Sequence, residues 1–117
     1  MMFWSKDKKN PVIQELDDRL KQKFPDLDVS LGGTLYIRVS KIVVPKKDRR
    51  KGIGTQVMDE IIGYADSVGK IVVLTPSDDF GSSTARLRKF YKRFGFIENR
   101  GMMARYEISE SMYRLPK

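Results

Sequence analysis

The chain has 117 residues, of which 40% are hydrophobic and 32% charged, and its formal net charge is +8 at pH 7. This length and composition predict one globular domain over residues 1–117 and exclude a membrane span, because no apolar run approaches the ~20 residues that a span needs. Cysteine and histidine are both absent, which excludes zinc sites of the usual ligands and leaves acid–base chemistry to tyrosine, lysine and carboxylates.

The N-terminal segment predicts a cytoplasmic protein that begins with a helix. Residues 1–6 lack the apolar core and the small-residue cleavage site of a signal peptide. The chain also has no cysteine, so there is no disulfide that would indicate an oxidising compartment. Asn10 is a favoured N-cap, Pro11 suits a first turn, and apolar residues recur at helical spacing until Pro25 stops the helix. The apolar positions are Val12 or Ile13, Leu16, Leu20 and Phe24.

A β-hairpin is predicted next, because apolar residues alternate with polar ones on both sides of two glycines. The alternating positions are Leu27, Val29 and Leu31 in the first strand and Leu35, Ile37 and Val39 in the returning strand. Gly32-Gly33 predicts a two-residue turn between the strands. The alternation breaks at Lys41, and an extra residue there predicts a β-bulge that resets the faces of residues 42–44.

A buried strand then runs into a basic, glycine-containing turn that opens a helix. The segment reads Val43-Val44-Pro45-Lys46-Lys47-Asp48-Arg49-Arg50-Lys51-Gly52-Ile53-Gly54-Thr55. Gly52 and Gly54 would let the backbone approach a ligand closely, and the following helix offers unpaired N–H groups and the positive end of its dipole to a phosphate. Many glycine turns only reverse the chain, so the turn by itself is equally consistent with a phosphate site and with a plain connection.

The helix after this turn is the middle of a predicted βαβ unit. Its core stripe consists of Ile53, Val57, Ile61, Ala65 and Val68. Gly69 is a favoured C-cap, and residues 71–74 follow as a buried strand.

The remaining elements are a third helix and the closing strands. Ser82 or Ser83 would cap the helix, Gly95 would end it, and its apolar face consists of Leu87, Phe90, Tyr91 and Phe94. Short strands are predicted near residues 96–97, 104–108 and 112–115.

Two named phosphate motifs do not fit the basic turn. Residues 49–54 lack the Gly-Lys-Ser/Thr triplet of a Walker loop, and Val57 stands where a dinucleotide fingerprint needs its third glycine. What remains is Arg-x-x-Gly-x-Gly after a Val-x-Pro strand end, which resembles the pyrophosphate-binding loop of the GNAT superfamily of acyl-CoA-dependent N-acetyltransferases. Downstream, Phe90-Tyr91-x-x-Phe94-Gly95-Phe96 resembles the end of that family's second CoA-side helix. The resemblance covers roughly residues 35–98.

The resemblance implies a GNAT-like three-layer α/β fold of the mixed α+β class, with helices on both faces of a central mixed sheet. It implies acetyl-CoA as the cosubstrate and no metal. Val43 and Val44 would offer main-chain groups to the pantetheine arm. The pyrophosphate would lie against the amides of Arg49, Arg50, Lys51, Gly52, Ile53, Gly54 and Thr55. An acceptor amine would attack the thioester directly.

Tyr91 holds the position that the family uses for the general acid that protonates the leaving thiolate. A helical tyrosine on an apolar face is otherwise ordinary core packing, so the surrounding motif decides in favour of catalysis. The family often has asparagine seven residues and alanine four residues before this tyrosine, where the chain has Thr84 and Leu87. Thr84 could still hydrogen-bond the pantetheine or cap the helix.

The general base and the acceptor site are not assigned by the sequence. Asp78, Asp79, Glu107 and Glu110 lie on segments that could border the cleft, but each is more readily explained as a solvated charge. The family commonly has another strand and helix before the central strand, which the short N-terminal part of this chain lacks. The acceptor pocket would then be open or completed by a second subunit of a homodimer.

Two basic clusters account for much of the net charge. Residues 46–51 carry five positive charges and one negative charge, and residues 86–93 carry five positive charges and no acid. Both lie on the segments that the resemblance assigns to the phosphates of CoA.

Three functions stay open: an N-acetyltransferase for nucleic-acid-borne, protein or small-molecule amines; a nucleic-acid-binding module that uses the basic segments with Trp4 and Tyr36; and a catalytically silent acyl-CoA-binding protein. The ordered pair of motifs favours the first.

Overall fold

The computed structural model describes residues 10–43, 52–76 and 84–117 of the chain. The elements are helices α1 (Pro11–Lys23), α2 (Ile53–Val68) and α3 (Thr84–Lys92), and strands β1 (Asp28–Gly32), β2 (Ile37–Val43), β3 (Val72–Leu74), β4 (Ile97–Glu98) and β5 (Met112–Arg114). The five strands form one sheet in the order β1-β2-β3-β5-β4. Strands β2 and β3 are parallel and the other neighbours are antiparallel, so the predicted mixed α+β class is confirmed.

Helix α1 begins and ends as the sequence predicts. The Asn10 side chain accepts a hydrogen bond from the Val12 amide at 2.9 Å, which satisfies one of the unpaired donors at the helix start. The buried positions of α1 include Ile13, Leu16 and Leu20, all in the main hydrophobic cluster. These side chains hold α1 against the core because burying an aliphatic side chain contributes about 1.5–3 kcal/mol.

The predicted two-residue hairpin turn is wrong. Gly32 is the last residue of β1, it pairs with Arg38, and Gly33–Tyr36 connect the strands. Gly33 has a φ of 101°, and a Cβ there would lie 2.2 Å from the Tyr36 carbonyl oxygen, so glycine is required. Leu35, which the alternation placed in the strand, is 72% exposed.

The predicted bulge is confirmed one residue before Lys41. Ser30 pairs with Lys41 and Leu31 pairs with Val39, which leaves Ser40 as the extra residue of β2. Beyond the bulge, Lys41 forms an ion pair of 2.6 Å with Asp28 of β1. The bulge therefore lies where β2 changes from alternating buried and exposed residues to the partly buried residues 41–43.

The two faces of the sheet are covered differently. On one face, the main cluster unites side chains of α1, α2, β2 and β3 with the partly buried rings of α3. On the other face, Val73 and Tyr113 pack with Ile108, and the Tyr113 hydroxyl donates to the Met103 carbonyl at 2.6 Å. Met103 ends a single 3-10 turn, Gly101–Met103, so the third layer of the described residues is this turn with the Ile108 segment.

Two further sequence predictions are corrected. Residues 104–108 form no strand, because the Asn99 side chain donates to the carbonyls of Arg105, Ile108 and Glu110 and accepts from the Arg105 amide. This clamp holds the segment as a compact loop. In α2, Val68 is exposed, and the core position in that turn belongs to Tyr64, which donates to Glu15 of α1 at 3.0 Å. Across the described ranges, no helix combines the length and apolar character required to cross a membrane.

Candidate active site

A cleft opens where β2 and β3 part. The two strands pair only from Ile37 with Val72 to Val39 with Leu74. Beyond that point β2 continues to Val43, paired with β1 alone. The main-chain groups of residues 40–43 that face away from β1 therefore have no strand partner among the described residues. Because parallel strands end at the same edge of a sheet, this cleft lies at the edge where α2 and α3 follow the strands.

The N-terminus of α2 has the features of an anion site. Gly52 is its N-cap in the left-handed conformation, with a φ of 73° and no side-chain cap. The first helical hydrogen bond runs from the Gln56 amide to the Gly52 carbonyl at 3.1 Å, so the amides of residues 53–55 are not used within the helix. The first turn of α2 contains no acidic residue to oppose an anion at the positive end of the helix dipole.

Gly54 lies close to helix α3, which the sequence did not indicate. A Cβ on Gly54 would lie 3.6 Å from Cζ of Phe90, a residue of α3. This is an ordinary van der Waals distance, so the Phe90 ring of α3 lies close to the first turn of α2. That Gly54 makes room for a ligand stays a prediction. At Gly52, by contrast, a Cβ would meet no atom within 4 Å. A glycine is favoured there because its φ is positive.

Tyr91 is half-buried at the edge of the main cluster. Its ring packs edge-to-face on Phe90, with centroids 5.3 Å apart, and tilted on Phe96 at 5.7 Å. Its hydroxyl makes no hydrogen bond to the described residues, and burial raises the pKa of this phenol above its ordinary value of 10.0. The group is therefore protonated at neutral pH and can act as a proton donor.

Thr84 begins α3, seven residues before Tyr91. Residues seven apart lie on the same face of a helix, separated by about two turns or roughly 10 Å. Thr84 is half-buried, as is Leu87 between them. Helix α3 thus presents Thr84 and Tyr91 along one line. A contact of Thr84 with the pantetheine arm stays a prediction.

Part of the predicted site lies outside the described residues. This holds for Val44, Arg49, Arg50 and Lys51 of the cofactor set and for Asp78, Asp79, Ser82 and Ser83. Val43 is described and is the half-buried last residue of β2, opposite Asp28.

The remaining carboxylates give no base. Glu107 lies on the exposed surface within 3.6 Å of Arg105, and the Glu110 carbonyl is held by Asn99. Within the ranges that are described, no three carboxylates cluster in a way that could hold a metal ion. The described residues therefore leave the general base unassigned.

An ion pair between a buried arginine and a partly exposed aspartate was missed by the sequence analysis. Arg114 of β5 binds Asp66 of α2 through both guanidinium ends, at 2.8 and 3.2 Å, and donates from Nε to the Phe94 carbonyl at 2.7 Å. The Arg114 contact lowers the pKa of the Asp66 carboxyl. An arginine inside the apolar run Met112–Leu115 was a signal in the sequence, but its partners could be found only in three dimensions.

A charge cluster holds α3 to β4. Glu98 lies within 3.0 Å of Lys92, 3.2 Å of Arg100 and 3.7 Å of Arg88. The hydrogen bond from Lys92 is the main cause of a lowered pKa for Glu98. Two of the five positive charges in residues 86–93 therefore have a protein carboxylate as partner.

Comparison with known proteins agrees with this geometry. The family model described as "Acetyltransferase (GNAT) domain" matches residues 21–98. The chain therefore belongs to the GNAT acetyltransferase family, and so to the acyltransferases. Among solved structures, Ard1 from Thermoplasma volcanium is similar in fold, with a TM-score of 0.54 and 18% identity over 100% of this chain and 83% of that chain. No curated protein sequence matches the chain.

Proposed function

We propose that this protein is an N-acetyltransferase that takes its acetyl group from acetyl-CoA. One observation carries the proposal: the opening between β2 and β3 lies at the same edge of the sheet as the uncapped N-terminus of α2. An opening beside unpaired strand groups suits the pantetheine arm, and an uncapped helix start suits a pyrophosphate. The single domain of residues 1–117 would supply both.

The donor would lie along β2 and turn its phosphates to α2. Val43 and Val44 would bind the pantetheine through main-chain groups. The pyrophosphate would be held by Arg49, Arg50, Lys51, Gly52, Ile53, Gly54 and Thr55. Thr84 would contact the pantetheine from α3, on the opposite wall of the cleft.

Tyr91 would be the general acid of the reaction. A neutral acceptor amine attacks the thioester carbonyl carbon, forming a C–N bond, and the collapse of the tetrahedral adduct breaks the C–S bond. The leaving thiolate takes the Tyr91 hydroxyl proton, the amine loses one proton to water or a base, and the solvent reprotonates the phenolate. The raised pKa of Tyr91 keeps the phenol protonated at neutral pH, and the proton moves to sulfur as the C–S bond breaks, because a free thiolate is a weaker base than the phenolate.

The acceptor is an amine on a nucleic acid, a protein or a small molecule. The exposed positive residues in α3 and directly after it, among them Lys89 and Arg93, would give the rim of the cleft a charge that favours a polyanionic acceptor. A second copy of the chain could complete the acceptor side. Tyr36, which the nucleic-acid-module hypothesis would use for base stacking, is partly buried against the Val73 cluster and so supports that hypothesis less well.

Acetyl-CoA binding tests the donor half of the proposal with a matched pair of variants. Gly52 and Gly69 cap the two ends of α2, both have positive φ, 73° and 66°, and a Cβ at either would have nothing within 4 Å. Gly52→Ala and Gly69→Ala should therefore destabilise the fold by a similar amount, about 1–2 kcal/mol. Only Gly52→Ala should weaken acetyl-CoA binding in calorimetry, by about tenfold or more. Equal affinity for acetyl-CoA in both variants would contradict a pyrophosphate site at the N-terminus of α2.

Acetyl transfer tests the other half. Labelled acetyl-CoA should pass its label to one of four separate pools: protein, tRNA, DNA or small amines. Binding without transfer to any pool would identify a silent acyl-CoA-binding protein. Tight nucleic-acid binding with a melting temperature that millimolar CoA leaves unchanged would identify a nucleic-acid module.

A further inference from the structure

One guanidinium group links the turn after α3 to strand β5 and helix α2. Arg114 on β5 is 4% exposed, and its side chain makes three hydrogen bonds to two residues, Asp66 and Phe94. Its two terminal nitrogens bind the two Asp66 oxygens of α2, and its Nε donates to the Phe94 carbonyl in the turn after α3. Asp66 also accepts from the Lys117 amide at 3.0 Å, which ties the chain terminus into the same contact.

The turn that Arg114 holds is bonded directly to Tyr91. The amides of Phe94 and Phe96 both donate to the Tyr91 carbonyl, at 2.9 and 3.4 Å. Gly95 between them has a φ of 94°, and a Cβ there would lie 3.5 Å from Nε of Arg114. Main-chain hydrogen bonds therefore connect the guanidinium with the residue that carries the proposed acid, with Phe94 alone between them.

The chemistry of the contact favours positioning over stability. The Arg114 guanidinium is buried while the Asp66 side chain is 27% exposed, and the desolvation of the guanidinium offsets part of the attraction, so the net stability gained is small. A bidentate guanidinium–carboxylate pair, however, fixes direction as well as distance, because the guanidinium is a rigid planar fork. In contrast, α3 has no fully buried residue among its nine, so apolar packing alone holds it less firmly than α2.

We propose that Arg114, oriented by Asp66, is a positioning residue that fixes the end of α3 and thereby sets the place of the Tyr91 hydroxyl in the cleft. This inference rests on the proposed function, in which Tyr91 is the general acid. Arg114 itself faces α2 and the Phe94 turn and touches no reacting atom. Displacement of a catalytic group by about 1 Å can reduce a rate by as much as 10²-fold, so a loosened α3 should appear in kcat.

The first experiment is a double-mutant cycle in kcat. Arg114→Lys keeps the positive charge but lacks the planar guanidinium that bonds Asp66 and the Phe94 carbonyl together. It should lower kcat by about tenfold while the KM for acetyl-CoA changes little. In a Tyr91→Phe background the same change should have almost no further effect, because the group that Arg114 positions is gone. Equal losses of kcat in the two backgrounds, or no loss in either, would overturn the proposal.

Tyr113→Phe is the matched control. It changes the neighbouring residue on the opposite face of β5 and also removes one hydrogen bond to a backbone carbonyl, that of Met103. It should leave kcat within about twofold of the original. Asp66→Asn serves if Arg114→Lys does not fold, since it keeps the shape and one acceptor oxygen and should lower kcat in the same direction.

The second experiment needs no acceptor. Amide exchange at Phe94 and Phe96 should be accelerated by about tenfold in Arg114→Lys and unchanged in Tyr113→Phe, under conditions where both proteins stay folded. Unchanged exchange in Arg114→Lys would overturn the proposal. If the wild-type protein transferred no acetyl group, the proposed function would fail and exchange alone would decide whether Arg114 holds the turn. If Tyr91→Phe kept full kcat, Tyr91 would not be the general acid and the positioning role of Arg114 would be refuted. The proposal that the protein transfers an acetyl group would be unaffected.

Discussion

The two helices beside the cleft are held in place by different forces. Helix α2 buries Val57, Met58, Ile61, Tyr64 and Ala65 and ends in left-handed glycines at both caps. Helix α3 buries no residue completely and carries four positive charges, at Arg86, Arg88, Lys89 and Lys92. The contacts that hold α3 and the turn after it include the half-buried rings around Tyr91, the Glu98 cluster and the Arg114 hydrogen bond to Phe94.

This difference separates the proposed tasks of the two helices. Helix α2 would hold the cofactor phosphates through main-chain amides, which need only a helix that stays in place, and apolar burial provides that regardless of pH or salt. Helix α3 would carry the acid, whose position depends on polar contacts. We therefore expect substitutions in α2 to affect stability first, and substitutions and conditions acting on α3 to affect catalysis or local order first.

The largest effect on stability should come from the α2 core. Ile61 is fully buried, so Ile61→Ala should lower the free energy of unfolding by about 2–5 kcal/mol. Leu87→Ala, at a half-buried position of α3, should cost clearly less, about 1–2 kcal/mol. Urea unfolding followed by circular dichroism would measure both, and equal costs would contradict the contrast between the helices.

The largest effect on chemistry should come from α3. Tyr91→Phe keeps the ring against Phe90 and Phe96 and removes only the hydroxyl, so it should lower kcat by roughly 10²-fold while leaving acetyl-CoA affinity nearly intact. The matched variant on α2 is Tyr64→Phe, which loses a hydrogen bond to Glu15 at a cost of about 1 kcal/mol in stability. Tyr64→Phe should leave kcat unchanged. More than half of the original kcat in Tyr91→Phe, with chemistry rate-limiting, would make Tyr91 a packing residue.

The smallest effect should be a loss of order in α3 at acid pH. The pKa values of Asp66 and Glu98 are both lowered, first of all by hydrogen bonds from Arg114 and Lys92. A lowered carboxyl pKa contributes stability that is complete above the unfolded-state value near ~4 and is lost as pH falls through the lower folded-state value. Amide NMR signals of α3 should therefore shift before those of the buried part of α2, Val57 to Ile61, which lies away from Asp66, as pH falls below about 4. Simultaneous changes in both helices would remove this distinction.

Local sequence signals predicted much of the fold. Asn10 and Pro11 place the start of α1, Gly69 places the end of α2, and the break in alternation at Lys41 indicates the bulge. In each case the cause acts within a few residues: a capping oxygen, a positive φ or an extra residue in a strand. The family motifs likewise lie in short segments, so the GNAT class could be predicted before the fold was known.

Other features depend on contacts that apolar periodicity does not report. The alternation at Leu35 predicted a strand, but the Gly33 turn leaves that side chain in solvent. Residues 104–108 have strand-like composition, yet the Asn99 side chain is a local competitor for their backbone groups. In the sequence, Arg114 is a charged residue within an apolar strand and has no evident partner, because Asp66 is 48 residues away.

The sequence by itself determined most of the elements, their order and the family, since these follow from periodicity, caps and two short motifs. Only the tertiary structure decided that Gly54 faces Phe90, that Tyr91 is half-buried with a raised pKa, and that Arg114 fixes the end of α3. The reason is physical. Periodicity reports which side of an element is apolar, whereas burial, pKa and ion-pair geometry depend on the partners that folding brings within a few ångströms.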